Sequence, residues 1–337
     1  MIDFRSDTLT KPTPQMLDFM MKAEVGDDVF GEDPNINAIE SKLAILFGKE
    51  AGLFCPSGTM CNQIAIKVHT QPGDEVICSD LSHVYHYEGG GMAMNSGVTS
   101  KLISGDRGRF SVKDLLNQIN PDDVHKANTS LVCIEDTMNK GGGAIWDPLN
   151  IKAIAKFCQN NNLSFHLDGA RVFNAIAETG VSEKEYGSNF DSISICLSKG
   201  LGAPIGSVLL GSKLFVHKAR RVRKVFGGAM RQAGYLAAAG IYALDNHRDR
   251  LQEDHRRAKE AGSQLKSLPR VESVLPVETN IVIFDLAISE NVDSFIAMLE
   301  ETGVMAIGMG GQSIRIVYHL DISESDHIKF LEILKGL

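Results

Sequence analysis

In the middle of the chain, short apolar runs bounded by glycine, proline and polar residues alternate with longer amphipathic segments. The runs Ala51-Gly-Leu-Phe-Cys55, Glu75-Val-Ile-Cys78, Thr99-Ser-Lys-Leu-Ile103, Ser130-Leu-Val-Cys-Ile-Glu135, Ser164-Phe-His-Leu167, Ser192-Ile-Ser-Ile-Cys196 and Gly206-Ser-Val-Leu-Leu210 read as strands. Helical spacing fills several of the gaps, from Met60 to Thr70, Val112 to Ile119 and Ile151 to Asn160. Strands separated by helix-length segments predict an α/β fold with a mostly parallel central sheet and flanking helices. In such a sheet ligands gather at the carboxyl ends of the strands. A long helical region is expected from about Gln232 to Leu265, buried in its first half and solvated after Asn246. From about Val271 the pattern changes: Asn280-Ile-Val-Ile-Phe-Asp, a helix from Val292 to Thr302, Ser313-Ile-Arg-Ile-Val and a closing helix from Ser323 to Leu334 predict a small C-terminal α+β domain. The expected organisation is an N-terminal arm (1–25), a large domain (26–245) and the small domain (246–337).

Composition narrows the possibilities. The 337 residues are 43% hydrophobic and 23% charged, ordinary for a globular chain of one large and one smaller domain. A formal net charge of -8 argues against general binding to nucleic acid or an anionic membrane surface. The basic run Lys218-Ala-Arg-Arg-Val-Arg-Lys224 is the local exception, either a solvated helix face or an anion site. Charges begin at once in Met1-Ile-Asp-Phe-Arg, and no apolar stretch approaches the ~20 residues of a membrane helix. Six cysteines are scattered without a Cys-x-x-Cys pair, which fits reduced core thiols. No His-x-x-x-His pair lies close to a carboxylate, so no metal site is expected. A cytoplasmic location follows as the expectation.

Candidate chemistry concentrates at two strand ends. The run Ser192 to Leu197 halts at Ser198-Lys199 and then turns on glycine; Leu163-Ser-Phe-His-Leu-Asp-Gly-Ala-Arg171 ends the same way in Asp168, with Arg171 just beyond. A lysine and a carboxylate at the ends of successive buried strands each lose water, so they are costly to leave unpaired. A desolvated amine forms imines readily, and a nearby carboxylate keeps a pyridine nitrogen protonated, a pairing suited to pyridoxal phosphate. The plain alternative is a structural Lys–Asp pair. Pro56-Ser57-Gly58-Thr59-Met60 follows a strand and opens a helix, where free amides favour a phosphate, assisted by the Ser57 and Thr59 hydroxyls and by Ser198; a capped helix start is the alternative. His83 follows another strand, where an imidazole can lie over a planar cofactor, with His86 and Tyr87 as rivals and a solvated loop histidine as the alternative.

Together these motifs resemble the low-specificity threonine aldolases. The resemblance runs end to end: Asp3-Phe-Arg-Ser-Asp-Thr-Leu-Thr10, Gly26-Asp-Asp-Val-Phe-Gly-Glu-Asp-Pro34, Ser57-Gly-Thr59, His166-Leu-Asp-Gly-Ala-Arg171, Cys196-Leu-Ser-Lys-Gly-Leu-Gly202, Gly227-Gly-Ala-Met-Arg-Gln232 and Arg315-Ile-Val-Tyr-His-Leu-Asp321. It implies a type I pyridoxal-phosphate-dependent fold of the aspartate aminotransferase kind and a homotetramer with shared active sites. It implies cleavage of threonine, allo-threonine and related β-hydroxy-α-amino acids to glycine and an aldehyde. By motif position it assigns Lys199 to the covalent link with the cofactor and Asp168 to the pyridine nitrogen. His83 is assigned to stack on the ring, and Gly58 and Thr59 to the phosphate. Ser6, Arg171 and Arg315 are assigned to the substrate carboxylate and His125 to the vicinity of its hydroxyl. Lys224 and Arg231 are assigned to a neighbouring subunit's phosphate site.

The chain departs from that pattern at Phe30, where a tyrosine is common, and at Glu135-Asp-Thr-Met-Asn139, where the pattern reads Glu-Asn-Thr-His-Asn. Asp136 and Met138 therefore place an added anion and a lost imidazole near the cofactor, as read from sequence. Other pyridoxal-phosphate chemistry, β-elimination, racemisation or transamination, remains an alternative on fold alone, as does a non-catalytic pyridoxal-phosphate-binding protein.

Overall fold

The computed structural model describes residues 1–337. The short strand β1 (Ile2–Asp3) precedes seven strands of one sheet: β2 (Ala51–Cys55), β3 (Glu75–Ser79), β4 (Thr99–Ile103), β5 (Thr129–Glu135), β6 (Ser164–Gly169), β7 (Ser192–Cys196) and β8 (Ser207–Gly211). Five more follow, β9 (Val271–Val274), β10 (Ile281–Leu286), β11 (Val304–Met305), β12 (Ile307–Gly310) and β13 (Ser313–Val317). The large sheet has the order β2-β8-β7-β6-β5-β3-β4. Only β8 runs against the others, pairing antiparallel with both β2 and β7. Burial on both faces explains why these strands read as apolar runs: β7 and β8 are buried at every position.

Register places the strand ends side by side. Glu135 of β5 pairs with Asp168 of β6, and Asp168 with Ser194 of β7. The acidic ends of two strands and the Ser198-Lys199 turn beyond a third thus meet at the carboxyl edge of the sheet. Helices pack on both sides, and the largest hydrophobic cluster joins the sheet residues Ile134, Leu167, Ile193 and Leu210 to Ile36, Ile39 and Leu43 of the helix Pro34–Leu46.

The small domain holds the antiparallel sheet β12-β13-β10-β9. Its core includes Phe284, Phe295, Ile316 and Tyr318, and also Ile2 and Phe4 from the other end of the chain. The N-terminal arm is therefore built into this unit: β1 pairs in parallel with β11, and the Val317 amide donates to the Phe4 carbonyl at 2.8 Å.

Two helices differ from expectation. The region from Gln232 to Leu265 is two helices, Gly234–Asn246 and Leu251–Leu265. The break falls where His247 is buried and its Nδ1 meets the Leu201 carbonyl at 2.7 Å, a tertiary contact with no local signature. The segment from Val112 ends its helix at Leu115, because Leu116 turns extended and Asn117 takes a left-handed conformation (φ 67°).

Asp33 shows how the large domain is tied together. It caps the helix Pro34–Leu46 by accepting from the Asn35 and Ile36 amides, both at 3.0 Å, and it also accepts from Gly26 (3.2 Å) and Gly234 (2.9 Å). A buried carboxylate with four backbone donors leaves all four orphaned when removed. Asp33→Ala is expected to lower stability by about 3 kcal/mol in urea unfolding, whereas a loss within the ~0.5 kcal/mol of an ordinary surface substitution contradicts this role.

Candidate active site

A cavity of about 410 Å³ opens where the carboxyl edge of the large sheet meets the small domain. Ser6 and Thr8 of the arm, His83, Tyr87, Glu135, Asn139, Arg171 and Lys199 line it from one side, and Ile307, Gly308, Met309 and Arg315 close it from the other. Five residues singled out from sequence, Ser6, His83, Arg171, Lys199 and Arg315, thus share one cavity.

Asp168 lies buried beside it, its Oδ2 accepting from the Asn62 amide at 2.9 Å. The same Asn62 amide donates to Glu88 Oε1 at 2.9 Å, and Gln63 donates to Glu88 Oε2 at 2.6 Å. His83 Nδ1 meets Glu88 Oε1 at 2.9 Å, and ring nitrogen and carboxylate oxygens of His83, Glu88 and Asp168 lie within 4.8 Å of one another. With its amide hydrogens committed to carboxylates, Asn62 presents its carbonyl to His166 Nε2 at 3.2 Å, and His166 Nδ1 meets Ser192 Oγ at 2.8 Å. Asn62 is thus the joint between Asp168, the His83 support and the buried strand face.

Glu135 accepts from the backbone amides of His83 (2.7 Å) and Asn139 (2.9 Å). Burial and the neighbouring Asp168 charge push its carboxyl upward, against those two donors. At His83 burial disfavours the cation, but the Glu88 contact and the fields of Asp168 and Glu135 outweigh it, and the net shift is upward.

The opposite wall is cationic. Arg171 donates through Nε and Nη2 to the two oxygens of Asp7, each at 2.7 Å. Burial pushes the Asp7 carboxyl up, but the guanidinium overrides it and holds it down at about 2. Arg315 donates to Asn139 Oδ1 (2.9 Å) and to the Arg5 carbonyl (3.0 Å), while its buried Nε has no partner. Burial and the neighbouring Arg171 charge lower the Arg315 pKa, the mark of two cations facing one space. Such a space suits a carboxylate, which two guanidiniums can hold from two directions.

The Ser57-Gly58-Thr59 turn begins the helix Gly58–His69, with Ser57 Oγ accepting from the Met60 amide at 3.2 Å. It lies against the end of β7: a Cβ on Gly58 would stand 2.5 Å from Cys196 Sγ, two residues before the half-buried Ser198. The Gly58 and Thr59 amides belong to the first helical turn and lack intrahelical acceptors.

Several residues named from the sequence lie outside this cavity, among them Lys224 and Arg231, which were assigned to a neighbouring subunit's site. His125 is exposed on the loop leading into β5, at the opposite edge of the sheet, where its Nδ1 meets Asp123 at 2.8 Å; it does not reach the cavity of its own chain. Lys224 is exposed at the end of the helix Lys213–Val225, and exposed Arg231 pairs with Asp27 at 2.9 Å. Phe30 is exposed, away from the cavity. Asp136 faces the core, where its carboxyl meets the Tyr186 hydroxyl, and Met138 is fully buried in the main cluster. Neither lines the cavity, whose wall here is made by Glu135 and Asn139. Asp7, Glu88, Glu135, Asn139 and Asn62 were missed as site residues. Glu135 carried a readable signal, an apolar run ending in an acid, the same design as Asp168.

A lysine lining the cavity, a buried carboxylate beside an imidazole, and two guanidiniums at the carboxyl edge of this sheet are arranged as in the fold of type I pyridoxal-phosphate-dependent enzymes. Solved structures show the same fold: a threonine aldolase of Leishmania major (TM-score 0.85, 21% identity, all of this chain and 99% of that one) and a serine palmitoyltransferase of Sphingomonas wittichii (TM-score 0.78, 16% identity, 99% and 86%). Residues 3–289 match the beta-eliminating lyase family. The low-specificity L-threonine aldolase of Escherichia coli (strain K12) is 40% identical over 324 residues, covering 96% of this chain and 95% of the relative. That of Candida albicans is 39% identical over 336 residues, covering 97% and 88%. The chain belongs to the beta-eliminating lyase family and, within it, to the low-specificity L-threonine aldolases; it is a lyase.

The Asp7–Arg171 pair gives a pH-resolved expectation. A depressed carboxyl contributes stability that is present above its unfolded value of 3.8 and lost as pH falls towards about 2. Asp7→Ala leaves a buried guanidinium unpaired and is expected to cost about 3–5 kcal/mol at neutral pH. In thermal unfolding the gap to wild type narrows on acidification from 3.8 to about 2. A gap that widens over that range contradicts the pairing.

Proposed function

We propose that the chain cleaves L-threonine, L-allo-threonine and related β-hydroxy-α-amino acids to glycine and an aldehyde by a retro-aldol reaction, with pyridoxal 5'-phosphate as cofactor. The observation that carries this reading is the single cavity in which Lys199 faces two guanidiniums, with Asp168 buried beside His83.

The residues present fit the cofactor. Asp168 keeps an acceptor oxygen beyond its Asn62 contact for a protonated ring nitrogen, Gly58 leaves space a side chain would fill, and the Gly58 and Thr59 amides suit a phosphate. Lys199 would hold the cofactor covalently, and the Ser57 and Ser198 hydroxyls would add to the phosphate site. When bound, pyridoxal phosphate supplies an electron sink for the pair released from the Cα–Cβ bond.

The protein's own work is positioning and proton transfer. Arg171, braced by Asp7, and Arg315, with its free Nε, grip the substrate carboxylate together with Ser6. This clamp fixes which bond at Cα is aligned for cleavage. As the Cα–Cβ bond breaks, the β-hydroxyl proton goes to His83 and the hydroxyl carbon leaves as an aldehyde. His83 is the imidazole at the cavity, whereas His125 does not reach it, and the Glu88 contact and the fields of Asp168 and Glu135 raise its proton affinity. Cα then takes up a proton and the product is glycine.

Self-association as a homotetramer with shared sites belongs to this reading. Phe30, Met21 and Val225 are exposed apolar side chains, and Lys224 and Arg231, the latter on Asp27, are exposed too, so a neighbouring subunit's phosphate site can reach them. The division into an arm (1–25), a large domain (26–245) and a small domain (246–337) is part of the proposal, supported by separate cores either side of the cavity. No helix is long and apolar enough to cross a membrane, and all six cysteines are free and buried, which supports a reducing, cytoplasmic setting.

The test is product analysis after incubation with pyridoxal phosphate and each threonine diastereomer. Glycine and acetaldehyde in equal amounts are expected; ammonia and a keto acid without glycine identify β-elimination instead, the alternative that the family's name favours. Two variants check the roles. Lys199→Ala is expected to lose turnover and the visible absorbance of the bound cofactor, and wild-type-like cleavage removes Lys199 from its role. Arg315→Ala is expected to raise KM for threonine while cofactor stays bound; an unchanged KM removes Arg315 from the carboxylate clamp.

A further inference from the structure

Asp136 is a fully buried carboxyl that the mechanism above does not use. One of its oxygens meets the hydroxyl of Tyr186, itself buried in the helix Glu183–Gly187, and the other, Oδ1, has no partner. The ionisable groups facing it are Tyr186 across the contact, Glu135 beside it on β5, and Arg109 from the loop before the helix Val112–Leu115. Arg109 is already engaged: it reaches the Ile145 carbonyl at 2.8 Å and pairs with Asp106 and Glu278. The Trp146 amide and Arg109 favour the ionised form only weakly, so an ionised Asp136 would be a buried anion with Oδ1 unpartnered, beside another carboxylate and without a dedicated cation, a costly arrangement for a buried charge. A neutral acid carries only the smaller penalty of one unpaired polar oxygen.

Its backbone gives the position functional reach. The Asp136 amide donates to the Asp168 carbonyl at 2.9 Å, and the Asp136 carbonyl accepts from the Arg171 amide at 3.1 Å. Residue 136 therefore joins the residue assigned to the cofactor ring to the residue assigned to the substrate carboxylate. Its side chain is the anchor of that bridge, and Tyr186 is the anchor point.

We propose that Asp136 is a positioning residue, held as a neutral acid on Tyr186, whose docking fixes the backbone that presents Asp168 and Arg171 to the cavity, and whose ionisation loosens it. Burial pushes this carboxyl up to about 8 in spite of the Tyr186 hydroxyl, so the change falls at mildly alkaline pH. The sign is set by linkage. A carboxyl whose folded value is raised favours the folded state at low pH. That advantage over an uncharged isostere is lost as pH rises from the unfolded value of 3.8 to about 8, and no further loss follows above it.

Asp136→Asn keeps the shape and removes the ionisation. The Tm of this variant is expected to gain on wild type steadily as pH rises through that window and to run parallel above it. In the assay of threonine cleavage, the wild-type fall in kcat/KM near pH 8, expressed mainly in KM through Arg171, moves upward by about one pH unit or more in Asp136→Asn. Tyr186→Phe, which strips the acid of its partner, lowers Tm and raises KM, and the double variant recovers part of both losses because the two side chains act as a pair. A merely structural contact would not move the pH profile. Superimposable pH profiles for wild type and Asp136→Asn overturn the proposal.

Infrared spectroscopy of the wild-type protein without substrate provides a check that needs no variant to fold. A protonated-carboxyl stretch is expected to persist at pH values where exposed acids are ionised and to vanish through about 8; its absence at neutral pH also overturns the proposal. The activity arm rests on the retro-aldol reading, whereas the thermal and infrared arms do not, so failure of that reading and failure of this proposal are separable.

Discussion

A carboxylate that ends a buried strand must find donors or lose its charge, and the centre of this molecule is organised by that requirement. Removing an ion from water costs several kcal/mol even after the protein relaxes, more than any single hydrogen bond returns. Each acid at the carboxyl edge of the sheet therefore recruits a fixed set of neighbours. Asp168 takes Asn62; Glu88 takes Asn62, Gln63 and His83; Glu135 takes two backbone amides; Asp7 takes both arms of the Arg171 fork. Asp136, held by the Tyr186 phenol with its Oδ1 unpartnered, is the exception, and burial pushes its carboxyl upward. The result is a cavity with acidic groups around His83 and a cationic wall across from them, suited to a cofactor with a protonated ring and a substrate with a free carboxylate.

The arm and the small domain complete that wall. Residues 2–8 leave the small-domain core, contribute Ser6, Asp7 and Thr8, and reach the large domain, where Thr10 Oγ1 donates to the Lys199 carbonyl at 3.1 Å. Arg315 comes from β13 but is held by Asn139 of the large domain and the Arg5 carbonyl of the arm. Parts far apart in sequence therefore set the carboxylate clamp, and a change in the seating of the small domain moves Arg315 relative to Arg171. Tertiary fit, more than local structure, sets the geometry of this half of the site.

Much of this was readable from the chain. All seven strands of the large sheet stand where the sequence reading put them; burial on both faces writes hydrophobicity continuously into the central ones, while the edge strand β4 is partly exposed and mixed in character. Lys199, His83, Arg171, Arg315 and Ser6 line one cavity, and Asp168 is buried beside it. What could not be read was side-chain direction and partnership. Asp136 and Met138 looked like changes next to the cofactor, yet both turn into the core, and no local pattern reveals that Tyr186 waits there. His125 sits in a conspicuous Asp-Val-His-Lys segment but occupies the wrong edge of the sheet within its own chain, since the loop before a strand lies opposite the loop after it. Asn62 left no trace, being one amide in an apolar helix whose meaning comes from three other elements.

The central claim is that one lysine at the end of β7 carries the cofactor in the cavity beside Asp168. The most direct measurement is reduction of the pyridoxal-phosphate-loaded protein with borohydride, followed by proteolysis and mass mapping of the pyridoxyl group. The account predicts a single modified residue, Lys199, with threonine or glycine protecting it when added before the reductant. A pyridoxyl group mapped to another lysine, or spread across surface lysines with Lys199 untouched, contradicts it.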